Sequence, residues 1–206
     1  MSPRKSAAEA HRTRERIVER GVAMASVDGL GGLTIGRLAG DLGISKSGLL
    51  GHFGTKEALQ LAALRRASEV FSRAVWEPAS GAEPGLARLR AVCEAWTTYL
   101  ERERATFPGG CLFTTAAVEF DAQLPGPVRD AVVRLHQTWR HRLLADVRHA
   151  VAAGELPGDG DPEQYVFELL GIFFSLNHSV QLFGDPAAPA RTRTAVARLL
   201  RGPGEG

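Results

Sequence analysis

The chain has 206 residues, 44% hydrophobic and 23% charged, with a formal net charge of +2. That length accommodates one domain or two small ones around a sizeable core. The two cysteines, Cys93 and Cys111, stand in no metal-ligand spacing, and Met1 to Arg20 is too polar throughout for a secretory signal. The most apolar stretch, Val166 to Phe183, is interrupted by Glu168, Asn177 and His178, which argues against a membrane span. A soluble cytoplasmic protein with free thiols is the expectation.

Charge is unevenly placed. Residues 1–60 hold nine Lys/Arg against six Asp/Glu, and the remaining 146 hold sixteen against seventeen. A basic N-terminal third on a neutral remainder suits a DNA-binding head on a separate body. The 11 prolines and 23 glycines cluster at a few junctions. Between those junctions the apolar residues follow a helical period, and alternating runs are scarce, so the fold is read as all-α.

Met1 to Ala7 reads either as a loose basic arm, in which Arg4 and Lys5 follow the phosphate backbone or minor groove, or as a disordered tail. From Ala8 to about Val27 a helix turns Ile17, Val18, Val22 and Ala25 inward. Asp28-Gly29-Leu30-Gly31-Gly32 breaks it. Thr34 can then cap a short helix whose Ile35, Leu38, Ala39 and Leu42 share one face. Gly43 stops that helix. Ser45 is a ready cap for the next, which starts Lys46, Ser47, Gly48 and buries Leu49 and Phe53. Thr55 caps a third helix beginning at Lys56.

Two short helices on a tight turn form a helix-turn-helix, whose second helix presents its first residues to base edges in the major groove. Lys46 can donate to guanine or to a phosphate. Lys56, at a helix N-terminus, is placed to hold one phosphate. A pair of core helices joined by a glycine turn would give the same bare pattern. The wider run Thr34-Ile35-x-x-Leu38-Ala39-x-x-Leu42-Gly43-Ile44-Ser45-Lys46-Ser47-x-Leu49-x-x-His52-Phe53-x-x-Lys56-Glu57-x-Leu59 resembles the TetR family of one-component transcriptional regulators. The resemblance is close over Thr34–Leu59 and looser over the preceding helix. It implies DNA contacts from Thr34, Arg37, Ser45, Lys46, Ser47, Gly48, Leu50, His52 and Lys56. Two positions depart from the family's habit: Leu50 replaces an aromatic, usually Tyr, and Gly48 replaces Thr or Ala. Both bear on which operator is read.

The helix opening at Thr55 is expected to run to about Trp76 as a connector, with a boundary over Glu77–Gly85. The expected division is a head over 1–56, the connecting helix over 55–76 and a body over 77–206. In the body, helices are expected over Leu86–Arg104 and Cys111–Phe120, from Pro127 to near Gly154, and over Pro162–Phe183 and Pro189–Arg201. The fourth carries one apolar stripe of Val166, Leu169, Phe173, Leu176, Val180 and Phe183 and a second of Phe167, Leu170 and Phe174, so it must be covered on more than one side. The family resemblance implies a homodimer through the last two helices, reading a palindromic operator in double-stranded DNA. It also implies a body that encloses a small apolar or aromatic effector. Candidates to line that pocket are Trp96, Tyr99, Phe107, Cys111, Phe113, Trp139, Phe174, Asn177 and His178, with Phe120 and Phe173 beside them; core packing is the competing reading for each aromatic. Asn177 and His178, in an otherwise apolar helix, require partners if buried, supplied by a ligand or by the second subunit.

No catalytic constellation emerges. His136, His141 and His149 share a helix at intervals that do not stack them as metal ligands. Cys111 after two glycines suggests an activated thiol less than a small core residue. The expectation is a ligand-responsive repressor in the bacterial cytoplasm, associated with the nucleoid, without cofactor, metal or membrane partner. The alternative is a helical ligand-binding protein that does not bind DNA.

Overall fold

The structure, a computed structural model, describes residues 3–157 and 160–202, with side chains from residue 7 onward. The side chains of Arg4 and Lys5, candidates for the basic arm, lie outside the described residues. Among the described residues there are nine helices of eight residues or more and no strand. These are α1 (Pro3–Gly32), α2 (Ile35–Leu42), α3 (Lys46–Phe53), α4 (Lys56–Phe71), α5 (Leu86–Arg102), α6 (Leu112–Phe120), α7 (Pro127–Ala152), α8 (Pro162–Phe183) and α9 (Ala188–Leu199). Beyond α4 the chain continues through a π-helical turn, Ser72–Trp76, into a last short turn, Glu77–Ala79. It packs as two compact units, Met1–Glu69 with Arg104–Val133, and Val70–Glu103 with Arg134–Gly206.

In the first unit, α1 opens at Pro3, so the loose arm expected over Met1–Ala7 is instead largely helix. Proline's fixed φ and missing N–H suit a first helical turn. Ile17, Val22 and Ala25 are buried as expected, together with Leu30 and Leu33. The break expected over Asp28–Gly32 is one residue wide: Gly29 adopts φ 75°, ψ 169° and the helix resumes to Gly32. Thr34 caps α2 by accepting from Arg37 N–H at 3.3 Å, and Gly43 ends it in the left-handed conformation.

α6 packs against α1 and buries Leu112, Phe113, Ala116 and Phe120. Just before it, Gly109 N–H donates to Ser26 Oγ at 3.1 Å. A Cβ on Gly109 would sit 2.1 Å from the Ser26 carbonyl oxygen and 2.6 Å from Val27 Cα, both backbone atoms that cannot rotate aside. Gly109→Ala is therefore expected to cost about 3 kcal/mol or more, lowering the melting temperature by about 6–12 °C. Gly126→Ala, whose Cβ would meet nothing within 4 Å, is the control and should melt near wild type.

The core of the second unit is an aromatic cluster. Phe71 stacks on Trp139 at 4.3 Å, Trp96 stacks on Phe173 at 4.2 Å, and Phe71 meets Trp96 and Tyr99 edge-on at 5.1 Å each. Offset and edge-on pairs at these separations contribute beyond the area they bury. α8 packs on α5 and α9 through Val166, Leu169, Phe173 and Leu176, the core of the first expected stripe. Phe183, assigned to that stripe, is exposed, because the apolar face drifts off it by the last turn. Arg193 on α9 grips Glu94 on α5 with two bonds of 2.7 and 2.8 Å, and this hydrogen bonding holds the Glu94 carboxyl below its ordinary range.

The π-helical turn has a local cause. Glu77 N–H reaches Ser72 C=O, one residue further back than in an α-helix. Pro78 has no N–H for Ala74 C=O, and in α geometry its ring would crowd that carbonyl. Widening the preceding turn relieves the conflict without ending the helix.

Candidate nucleic-acid interface

α3 divides sharply between inside and outside. Leu49 is fully buried and Phe53 nearly so, whereas Ser45, Lys46, Ser47, Gly48 and Leu50 are exposed. Ser45 Oγ accepts from Gly48 N–H at 3.0 Å, the N-cap expected from the sequence, and lies 3.2 Å from Ser47 Oγ. The stem of Lys46 runs beside α2: a Cβ on Gly36 would lie 3.3 Å from Lys46 Cε. Thr55 Oγ1 caps α4 by accepting from Ala58 N–H at 3.0 Å. The first turn of α3 is thus a capped, polar, exposed ridge with one ammonium and two hydroxyls.

The supports of this ridge are non-local. Arg14 on α1 donates to His52 C=O at 2.8 Å and lies 4.2 Å over the Phe53 ring, so α1 fixes the end of α3. Arg37 pairs with Asp28 at 2.9 Å, and Arg20 with Asp41. The Arg20 hydrogen bond holds the Asp41 carboxyl below the usual carboxylate range. At the C-terminal end of α1, Leu30 N–H and Gly31 N–H donate to the two oxygens of Glu119 on α6 at 2.7 and 2.5 Å. The carbonyls of the same residues accept from α4: Leu30 C=O from Gln60 Nε2 at 2.7 Å, Gly31 C=O from Lys56 Nζ at 2.6 Å. Glu119 approaches so closely that a Cβ on Gly29 or Gly31 would fall 2.7 or 2.6 Å from its oxygens. The glycines read from sequence as a break therefore also make room for a carboxylate.

Of the nine expected DNA-contacting residues, Ser45, Lys46, Ser47, Gly48 and Leu50 line one exposed ridge, with Thr34 and Arg37 at the start of α2. His52 is half-buried. Lys56, expected to hold a phosphate, directs its ammonium to Gly31 C=O, because the end of α1 brings a carbonyl within reach. Nothing in the local sequence marks Arg14, Asp28, Gln60 or Glu119 for these contacts. The glycine run was the one available signal for close approach near residue 30.

The nine expected effector-contacting residues divide between the units. Phe107, Cys111 and Phe113 are buried within the first, and Trp96, Tyr99, Trp139, Phe174, Asn177 and His178 belong to the second. Trp96, Tyr99 and Trp139 meet in the aromatic cluster, and Phe174 lies near His136. Asn177 is buried, but His178 is exposed with its ring edge-on to Phe183, since consecutive residues on a helix point about 100° apart. Cys111 is buried at the start of α6. Burial alone pushes the Cys93 thiol up to about 12, far from reactive thiolate. Among the described residues no His, Cys, Asp and Glu group has metal-binding geometry.

Residues 85–196, more than half the chain, match the family described as "Tetracyclin repressor-like, C-terminal domain". The chain belongs to the TetR family. It is accordingly a ligand-responsive DNA-binding transcriptional regulator, of a family of soluble cytoplasmic regulators and not of enzymes. Its fold is that of solved TetR regulators along nearly its whole length. A regulator from Chloroflexus aurantiacus J-10-FL is 24% identical, with 93% of this chain and 95% of that chain covered and a TM-score of 0.82. One from Agrobacterium tumefaciens is 19% identical, with 92% and 98% covered and a TM-score of 0.79. AibR, solved in complex with isovaleryl coenzyme A and operator DNA, is 18% identical, with 92% and 98% covered and a TM-score of 0.73. No curated protein sequence matches the chain. The TetR resemblance of Thr34–Leu59 thus rests on a different part of the chain from the family match, and the two agree.

Proposed function

We propose that the protein is a homodimeric repressor of the TetR family that reads a palindromic operator through α3 and is released by an apolar or aromatic effector. The observation that carries the DNA-reading part is the capped first turn of α3, which exposes Lys46, Ser47 and Gly48 while Leu49 and Phe53 anchor the helix from behind. Lys46 reads a base edge or phosphate, and the small residues beside it let the backbone approach the groove closely. Thr34, Arg37 and His52 flank the ridge as backbone contacts, and Ser45 and Leu50 border it. The committed Lys56 ammonium keeps two of its three donors for a phosphate. The division into a DNA-binding head over 1–56, a connecting helix over 55–76 and a ligand-binding, dimerising body over 77–206 is part of this proposal.

A second stripe on α8 supports the dimer. Phe167 and Leu182 are 74% and 65% exposed, and Leu170, Gly171, Phe174 and His178 continue the same face. α8 is long and apolar enough by length and composition to cross a membrane, but in a TetR regulator the same stripe needs only a second copy of itself. Two recognition helices on one duplex then read half-sites about 34–36 Å apart. The effector contacts the aromatic cluster of Trp96, Tyr99 and Trp139, with Phe174, Asn177 and His178 on the neighbouring helix; Phe107, Cys111 and Phe113 are separate candidates within the other unit. The complex of AibR with a ligand and DNA supports an effector-responsive body without assigning that ligand here. The working site is the bacterial nucleoid.

Titration of a labelled random-sequence duplex at stepped salt tests the DNA claim. Binding that weakens linearly in log K against log salt, with a slope near −0.9 per phosphate neutralised, is expected. A folded dimer with no measurable affinity at low salt would instead favour the helical ligand-binding reading.

A further inference from the structure

The π-helical turn forms one wall of a cleft of about 410 Å³ that lies wholly within the second unit. Ser72, Trp76 and Glu77 line it together with Arg88, Arg142 and Asp146. The volume is in the range of small-molecule sites. Its surface is mostly apolar, being built from the Trp76 ring, Ala145 and the arginine stems.

The charged groups in the cleft have unequal roles. Asp146 is 3% exposed and takes bonds of 2.6, 2.9 and 3.0 Å from the Arg88 guanidinium, with Gly85 N–H at 3.3 Å. Asp146 is thereby satisfied, with Arg88 Nε and Nη2 turned to it. Arg142 lies 5.2 Å over the Trp76 ring, and among the described residues it has no carboxylate partner. Glu77 is exposed at the rim. Trp76 Nε1 is shut off from solvent and has no acceptor, a deficit that native structures usually correct. The cleft therefore offers an aromatic side chain with a guanidinium fork beside it.

We infer that this cleft binds an aromatic carboxylate, its ring against Ala145 and beside the Trp76 indole, and its carboxylate on Arg142. A guanidinium matches a carboxylate two bonds at a time, which an alcohol or amide of the same shape does not reproduce. The site is distinct from the aromatic cluster around Phe71. It adjoins that cluster through the chain: Phe71 immediately precedes the π-helical turn. A ligand pressing on Trp76 acts on a turn holding one residue more than an α-helix needs, and loss of that extra residue would shift the register by about 1.5 Å and 100°. As an effector site, the cleft rests on the ligand-responsive reading above; as a binding site it does not.

The test is calorimetric titration of the full-length protein with 1-naphthylacetate and with its neutral analogue 1-naphthaleneethanol. Wild type should bind the acid at least tenfold more tightly than the alcohol. Arg142→Gln should remove that preference while leaving alcohol binding unchanged, and Ala145→Phe, which fills the cleft, should abolish both. Salt-dependent DNA binding of the ligand-free protein, measured alongside, should be unaffected by either variant, so failure of the DNA reading registers separately. Absence of acid binding up to millimolar concentration, or equal acid binding by Arg142→Gln and wild type, overturns the inference.

Discussion

Phe167→Glu with Leu182→Glu is expected to yield a folded monomer that binds DNA 10²-fold to 10⁴-fold more weakly than wild type. Both side chains stand on the exposed stripe of α8, and neither belongs to the buried face against α5 and α9. Covering a large apolar side chain is worth about 1.5–3 kcal/mol. A symmetric interface buries each residue twice, so the two positions together carry about 6–12 kcal/mol. Glutamates there bring four uncompensated charges to the interface. DNA binding falls because the second half-site is no longer engaged at the high effective concentration of a tethered partner. Analytical ultracentrifugation should report a species near 22.1 kDa with wild-type circular dichroism. A variant that remains dimeric would place the interface elsewhere.

Glu119→Ala is expected to loosen the head without touching its exposed ridge. Hydrogen bonds to a charged group are worth about 1.5–3 kcal/mol each. Glu119 accepts two, from Leu30 and Gly31, and water compensates in part for their loss because Gly31 is exposed. A net cost of about 3 kcal/mol corresponds to a fall of about 6–12 °C in melting temperature. Glu119→Gln should rescue little, because both oxygens accept from N–H groups and the amide turns one acceptor into a donor facing a donor. Hydrogen exchange should rise first at Leu30 and Gly31. DNA affinity should fall several-fold with an unchanged salt slope, since no phosphate contact is removed. A Gln variant as stable as wild type would contradict this account of the clamp.

The parts of the fold that sequence made legible are those fixed by local chemistry. Thr34, Ser45 and Thr55 each accept a bond from three residues on, and Gly43 takes the left-handed stop, so the helix-turn-helix could be drawn residue by residue. The buried stripe of α8 was legible for the same reason. Contacts between distant segments were not. Glu119 meets α1 across 88 and 89 positions, Arg14 meets His52 across 38, and no periodicity encodes such pairs. The same limit applies to Phe107, Cys111 and Phe113, which reading in chain order grouped with the body, whereas residues 104–133 pack into the unit of residues 1–69. Lys56 was legible as a helix start but not as a donor to Gly31, because its partner lies 25 residues back. The π-helical turn had a sequence cause in Pro78, hidden because a helix meeting a proline more often stops than widens.

The central claim, that the α3 ridge reads DNA, is tested most directly by selecting duplexes from a random pool with purified wild type and with Lys46→Ala. Lys46 is exposed at the first position of α3, and its loss leaves the Ser45 cap and the Leu49 and Phe53 anchors in place. Wild type is expected to select a palindromic consensus, and Lys46→Ala the same consensus blurred at two symmetry-related positions, at a cost of about 1–3 kcal/mol per half-site if Lys46 reads a base. A folded, dimeric wild-type protein that enriches no sequence at low salt would contradict the claim.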